Sequence, residues 1–116
     1  MQANPTRSPF QALEITILAI RTLRRVVATI RSRDRDLGEQ LRRALSSIAL
    51  NLAEGNGSSG GHRIERFSTA AGSTAEARTA LAVAEAWGYI DAADFADGVD
   101  LLDRVAAMLY RLGARR

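Results

Sequence analysis

A chain of 116 residues with 47% apolar and 25% charged side chains fits one globular domain, and the absence of cysteine excludes disulfides and thiolate metal sites. No apolar run reaches the ~18 residues that a bilayer span needs, and "MQANPTRSPF" lacks the basic and apolar regions of a secretory signal, so a reducing cytoplasmic compartment is expected. Net charge is +3, all sixteen basic residues are arginines, and they crowd between Arg7 and Arg43, while acids dominate from Glu85 to Asp103.

The first predicted helix covers residues 9–31. Ser8 is placed to cap it, Pro9 suits the first helical position and Gln11 completes a capping box. At about 100° per residue, Ile20, Leu23, Val26, Val27 and Ile30 share one face. Arg21, Arg24, Arg25 and Arg31 lie opposite. In the first half Phe10, Leu13 and Ile17 project on the arginine side, so apolar surface points two ways and a partner subunit is expected to cover the second.

The second helix is predicted over residues 36–55, with Asp36 as cap and Glu39 as its reciprocal partner. Leu37, Leu41, Leu45, Ile48 and Leu52 form a core stripe. Gln40, Arg43, Ser47, Asn51 and Glu54 form a polar one. That stripe is either a solvated face or a set of hydrogen-bonded layers between helices or subunits.

"GNGSSGGHR" then brings Gly55, Gly57 and Gly60 into the spacing of a dinucleotide fingerprint. A fingerprint needs a strand before its glycines and a βαβ unit around them. Neither is present, and Gly61 and His62 stand where a phosphate loop needs Lys and Ser/Thr. The segment reads as a helix–helix connection in which Gly55 ends the second helix. Amides near His62, Arg63 and Arg66 remain able to meet a phosphate.

The third helix is predicted over residues 62–87 and is rich in alanine, with Gly72 and Ser73 midway, where glycine permits close helix approach. Ile64 and Phe67 anchor one end; Leu81 and Trp87 lie toward the other. Gly88 is expected to adopt the left-handed conformation and Asp91 to cap the fourth helix, predicted over residues 91–113. Its core stripe is Phe95, Val99, Leu102, Ala106 and Leu109, widened by Leu101, Val105, Met108 and Leu112. Asp91, Asp94, Asp97, Asp100 and Asp103 recur every three residues, a spacing that drifts around a helix and does not converge on a metal.

Together these elements make an all-α, up-down-up-down four-helix bundle. His62 is the only histidine and has no evident catalytic partner, so the chain reads as non-enzymatic, without cofactor or metal. Glu54 and Glu76, with Asn51, are either structural groups between the second and third helices or a ligand site.

"LGEQLRRALSSIALNLAEGNG" and "RFSTAAGSTAEARTALAVAEAWGYI" resemble the bacterial four helix bundle proteins encoded in intervening sequences of 23S ribosomal RNA genes. The resemblance rests on Gln40, Leu41, Arg42, Arg43, Ala44, Ser47, Ile48, Asn51, Ala53, Glu54 and Gly55, then on Phe67, Ala71, Gly72, Ser73, Glu76, Gly88 and Tyr89. Phe10, Leu13 and Ile15 match the family's opening. "SSGGHR" departs from it by thinning positive charge after the glycine turn. The resemblance implies a homo-oligomeric ring, commonly a pentamer. It also connects the chain to the accessory variability determinant proteins of diversity-generating retroelements, basic rings that bind nucleic acid and a reverse transcriptase.

Two functions follow as expectations. One is binding of RNA or DNA through Arg21, Arg24, Arg25, Arg42, Arg43, Arg63 and Arg66, dominated by phosphate contacts. The other is a protein-interaction scaffold without nucleic-acid affinity.

Overall fold

The computed structural model describes residues 9–114; the predicted Ser8 cap lies outside them. Four helices follow one another: α1 (Pro9–Arg33), α2 (Arg35–Asn56), α3 (Gly60–Ala86) and α4 (Ala92–Arg111). α1 packs against α2 and α4, and α3 packs against the same two, while diagonal pairs scarcely meet. This is a square bundle with short connections, drawn out to 47 × 24 × 20 Å.

The boundaries differ from expectation by one or two residues, for identifiable reasons. α1 runs on to Arg33 because Asp34, not Asp36, caps α2: its carboxylate accepts a hydrogen bond from the Leu37 amide at 3.1 Å. Glu39 is thereby released from capping and pairs with arginines. One residue between two helices leaves no room for a side chain at the corner. Gly38 supplies that room, since a Cβ there would lie 2.7 Å from the Arg31 backbone nitrogen.

Gly55 does not end α2. It stays helical and buried, because the Phe67 ring packs so closely that a Cβ would sit 2.5 Å from it. The helix closes one residue later, where the Gly57 amide donates to the Ala53 and Glu54 carbonyls. Gly88 does behave as expected. Its φ of 79° lets the chain leave α3, the Gly88 amide donating to Glu85 O and the Tyr89 amide to Ala84 O, both at 2.9 Å. Asp91 caps α4 through the Asp94 amide at 2.8 Å.

The core is formed by Leu23, Val26 and Ile30 of α1, the leucine–isoleucine stripe of α2, Phe67 and Leu81 of α3, and Leu102, Val105 and Leu109 of α4. Two sequence expectations are corrected. In α4 Leu102 and Leu109 of the stripe and Val105 and Met108 beside it are buried as expected, but Ala106 is exposed. Trp87 does not enter the core; it is 69% exposed and stacks against Tyr89. Two polar residues, Thr16 and Thr74, are buried without penalty, each hydroxyl donating to the carbonyl four residues earlier at 2.8 Å.

Candidate nucleic-acid interface

α1 and α2 carry the candidate arginines because their inward faces are filled by aliphatic side chains, which forces the guanidinium groups outward. Arg21, Arg24, Arg25, Arg42 and Arg43 are all exposed. Their electrostatic situations differ. Among the described residues, Arg21, Arg24 and Arg43 form no salt bridge, although the charge of Arg43 also acts on Glu39. Arg25 instead reaches across to α4 and binds Asp94 at 2.7 Å. The hydrogen bond and charge of Asp94 push its pKa above the ordinary guanidinium value. This contact ties the basic region to the acidic one and offsets part of the charge of Arg25.

Arg31 and Arg42 are joined by one carboxylate. Glu39 accepts from Arg31 Nε at 2.8 Å and from an Arg42 terminal nitrogen at 3.2 Å. The Arg42 hydrogen bond, helped by the charge of Arg31, holds the Glu39 carboxyl below the usual carboxylate range. Each guanidinium uses only one nitrogen in this bridge, so most of its N–H donors stay available.

Between α1 and α2 lies a groove of about 280 Å³, lined by the apolar Ile20, Val27, Ala28 and Leu45 and by the polar Arg24, Arg31, Arg42 and Ser46. The α3–α4 cleft, about 210 Å³, is electrically different: among the described residues its charged lining is Arg78 and Asp103, paired at 2.9 Å.

Arg63 and Arg66 do not join the α1–α2 group. They stand at the start of α3, where Arg66 pairs with Glu54 at 2.9 Å and the Arg63 guanidinium lies 5.2 Å from the Phe67 ring centre. Glu54 is twelve residues beyond Arg42, or about 18 Å along the helix. The basic residues therefore form two separate groups, and both members of the second are engaged.

The polar family residues divide as well. Ser47 and Ser73 share a hydrogen bond of 2.8 Å between α2 and α3, and Asn51 Nδ2 donates to the Ser47 carbonyl and hydroxyl at 2.9 and 3.1 Å. Glu54 points to Arg66, and Glu76 is exposed without joining either. Asn51, Glu54 and Glu76 thus do not converge. Among the described residues no three His, Asp or Glu side chains are placed to hold a metal, and no helix is long and apolar enough to cross a membrane.

Of the residues proposed for a subunit interface, Phe10 is 63% exposed, and Leu13 and Ile17 are half-buried. The face that α1 buries over this stretch consists of small residues, Ala12, Thr16 and Ala19. Leu18 and Leu50 are also exposed, at 45% and 66%.

The helical projection sets Arg24 and Arg31 opposite Ile20 and Val27, whereas in the structure all four line the groove; Glu39, expected as a capping partner, joins Arg31 and Arg42 instead. The signal for this arrangement was present in the seven-residue spacing of Arg24 and Arg31 beside Ile20 and Val27. Only the pairing of α1 with α2 turns that spacing into one wall of a groove.

A family model described as 23S rRNA-intervening sequence protein matches residues 11–111. No curated protein and no solved structure matches the chain.

Proposed function

This chain belongs to the 23S rRNA-intervening sequence protein family, and we propose that it is a non-enzymatic, self-associating helical bundle that binds RNA or DNA through the α1–α2 arginines. The supporting observation is the unequal use of those arginines. Arg21, Arg24 and Arg43 are exposed and unpaired among the described residues, although acids are plentiful on α4. Phosphates are the natural counter-charge for guanidinium groups held in this way.

Self-association, with the pentameric ring implied by the sequence resemblance, would place Phe10, Leu18 and Leu50 against neighbouring copies and repeat the basic surface around the assembly. The test is fluorescence anisotropy with mixed-sequence RNA and DNA oligonucleotides across a salt series. Affinity is expected to fall steeply with salt and to fall again on changing Arg21, Arg24 and Arg43 to Gln. A salt-independent affinity, or none, refutes the reading.

The Arg25–Asp94 contact favours a second reading, because it neutralises part of the basic surface from within. In that reading the ring is a scaffold whose exposed Asp97 and Asp100 meet another protein. A partner that survives nuclease treatment of a lysate, together with absent oligonucleotide binding, selects it. Metal-dependent activity abolished in Glu54→Gln or Glu76→Gln would instead make the protein an enzyme.

A further inference from the structure

Resting on the nucleic-acid reading, we propose that the α1–α2 groove receives an unpaired nucleotide, so that the protein binds single strands in preference to duplexes.

Charge comes first. The groove brings Arg24, Arg31 and Arg42 together against one carboxylate, Glu39, which occupies a single nitrogen on each of two arginines. A guanidinium offers its remaining donors in the planar, forked arrangement that suits phosphate. The α3–α4 cleft of the same molecule serves as an internal contrast: it is of similar size, but among the described residues its arginine, Arg78, is matched by the charge of Asp103.

The floor then narrows the choice of anion. Ile20 and Ala28 present apolar surface beside the three arginines, and the buried Val27 and Leu45 complete the apolar lining. Inorganic phosphate leaves such a floor wet. So does a duplex, which shows a protein its phosphates and sugars while its base faces stay stacked inside. A single strand carries an apolar base face beside every phosphate, and unstacked bases pack on apolar side chains and guanidinium planes. A volume of about 280 Å³ lies at the low end for small-ligand sites, which suits one nucleotide and not a run of them.

The test separates this inference from the reading beneath it. Matched single-stranded and duplex oligonucleotides of mixed sequence are titrated at fixed salt against the unaltered protein, Ala28→Leu and Ser46→Leu. Ala28 is exposed and Ser46 half-buried on helix surfaces, and leucine is a strong helix former, so both variants fill the groove without removing charge or disturbing the fold. Single strands are expected to bind the unaltered protein more tightly and to bind each variant about tenfold more weakly, a drop in the range of one displaced base. Duplex affinity and the salt dependence should stay as they were. Equal affinity for both strand forms, or single-strand binding indifferent to both leucines, overturns the inference while leaving salt-dependent phosphate binding intact. Absence of any oligonucleotide binding overturns both and leaves the groove to a protein ligand.

Discussion

The hydroxyls of Ser47 and Ser73 meet at 2.8 Å across the α2–α3 boundary, and Asn51 completes the group by donating to the Ser47 hydroxyl and carbonyl. Because Ser47 Oγ accepts from Asn51, its own hydrogen is available to Ser73. Removing Ser73 Oγ by Ser73→Ala is expected to cost about 1 kcal/mol, the net worth of one such bond. Ser47→Ala combined with Ser73→Ala should cost less than the two single changes added, since the second deletion removes a group already without its partner. Urea midpoints at constant slope measure both. Asn51→Ala should lower stability by a similar ~1 kcal/mol and leave oligonucleotide affinity unchanged; a folded Asn51→Ala protein that no longer binds oligonucleotide would move Asn51 from structure to site.

Two close approaches make an unusual prediction for glycine. Alanine normally stabilises a helix interior by ~1 kcal/mol relative to glycine. At Gly55 the new methyl would press on the fully buried Phe67 ring, and at Gly38 on the Arg31 backbone itself. Gly55→Ala is therefore expected to destabilise by about 1–3 kcal/mol despite its better propensity. Gly38→Ala should be worse, because a ring can tilt more readily than the α1–α2 corner can open. Thermal melting of the two variants gives the order directly.

Glu39 titrates with a defined sign. Its folded-state pKa lies below the ordinary 4.5, chiefly through the Arg42 hydrogen bond, so its contribution to stability is fully present above that value. The contribution fades as pH falls from 4.5 toward the lower folded-state pKa. Glu39→Gln should flatten the acid limb of the stability–pH curve over that window. The variant should be slightly less stable at neutral pH, by the modest worth of surface pairs, and equal to the unaltered protein in acid. The same change removes the only carboxylate bridging groove arginines and should raise oligonucleotide affinity several-fold. An unchanged acid limb would mean that the Arg31–Glu39–Arg42 bridge does not persist in solution.

The arginines can be counted by salt. With duplex DNA, the slope of log affinity against log salt should become shallower by roughly 0.9 for each phosphate that the protein no longer neutralises, and with single strands by roughly 0.7. Arg21→Gln, Arg24→Gln and Arg43→Gln should each free about one phosphate. Arg66→Gln, whose guanidinium is held by Glu54, should alter the slope less.

Assembly has its own test. A 12.5 kDa chain that sediments as several copies at micromolar concentration, and as one copy after Phe10→Asp or Leu18→Asp, places the exposed apolar surface of α1 between subunits. Both positions are solvent-facing in the isolated bundle, so the aspartates should leave the fold intact.

Much of the fold was legible in the sequence. Apolar residues recurring at helical spacing marked the four helices, and local chemistry marked the Gly88 turn and the Asp91 cap. The departures share one cause. Asp34 and Asp36 are both competent caps, and the choice of Asp34 depends on how closely α1 and α2 pack around Gly38. The exposure of Ala106 and of Trp87 likewise depends on how each helix is rotated against its neighbours, which the period of one helix does not contain.

By itself, then, the amino-acid order determined the helical class, the number of helices and the arginine-rich surface of α1 and α2, because each follows from interactions within a few residues of chain. Tertiary structure alone decided which arginines remain unpaired. Arg25 meets Asp94 sixty-nine residues away, and Arg24, Arg31 and Arg42 become one groove only when two antiparallel helices lie side by side. Charge at the surface is a property of sequence, but its availability depends on distances between segments, and those are set by packing.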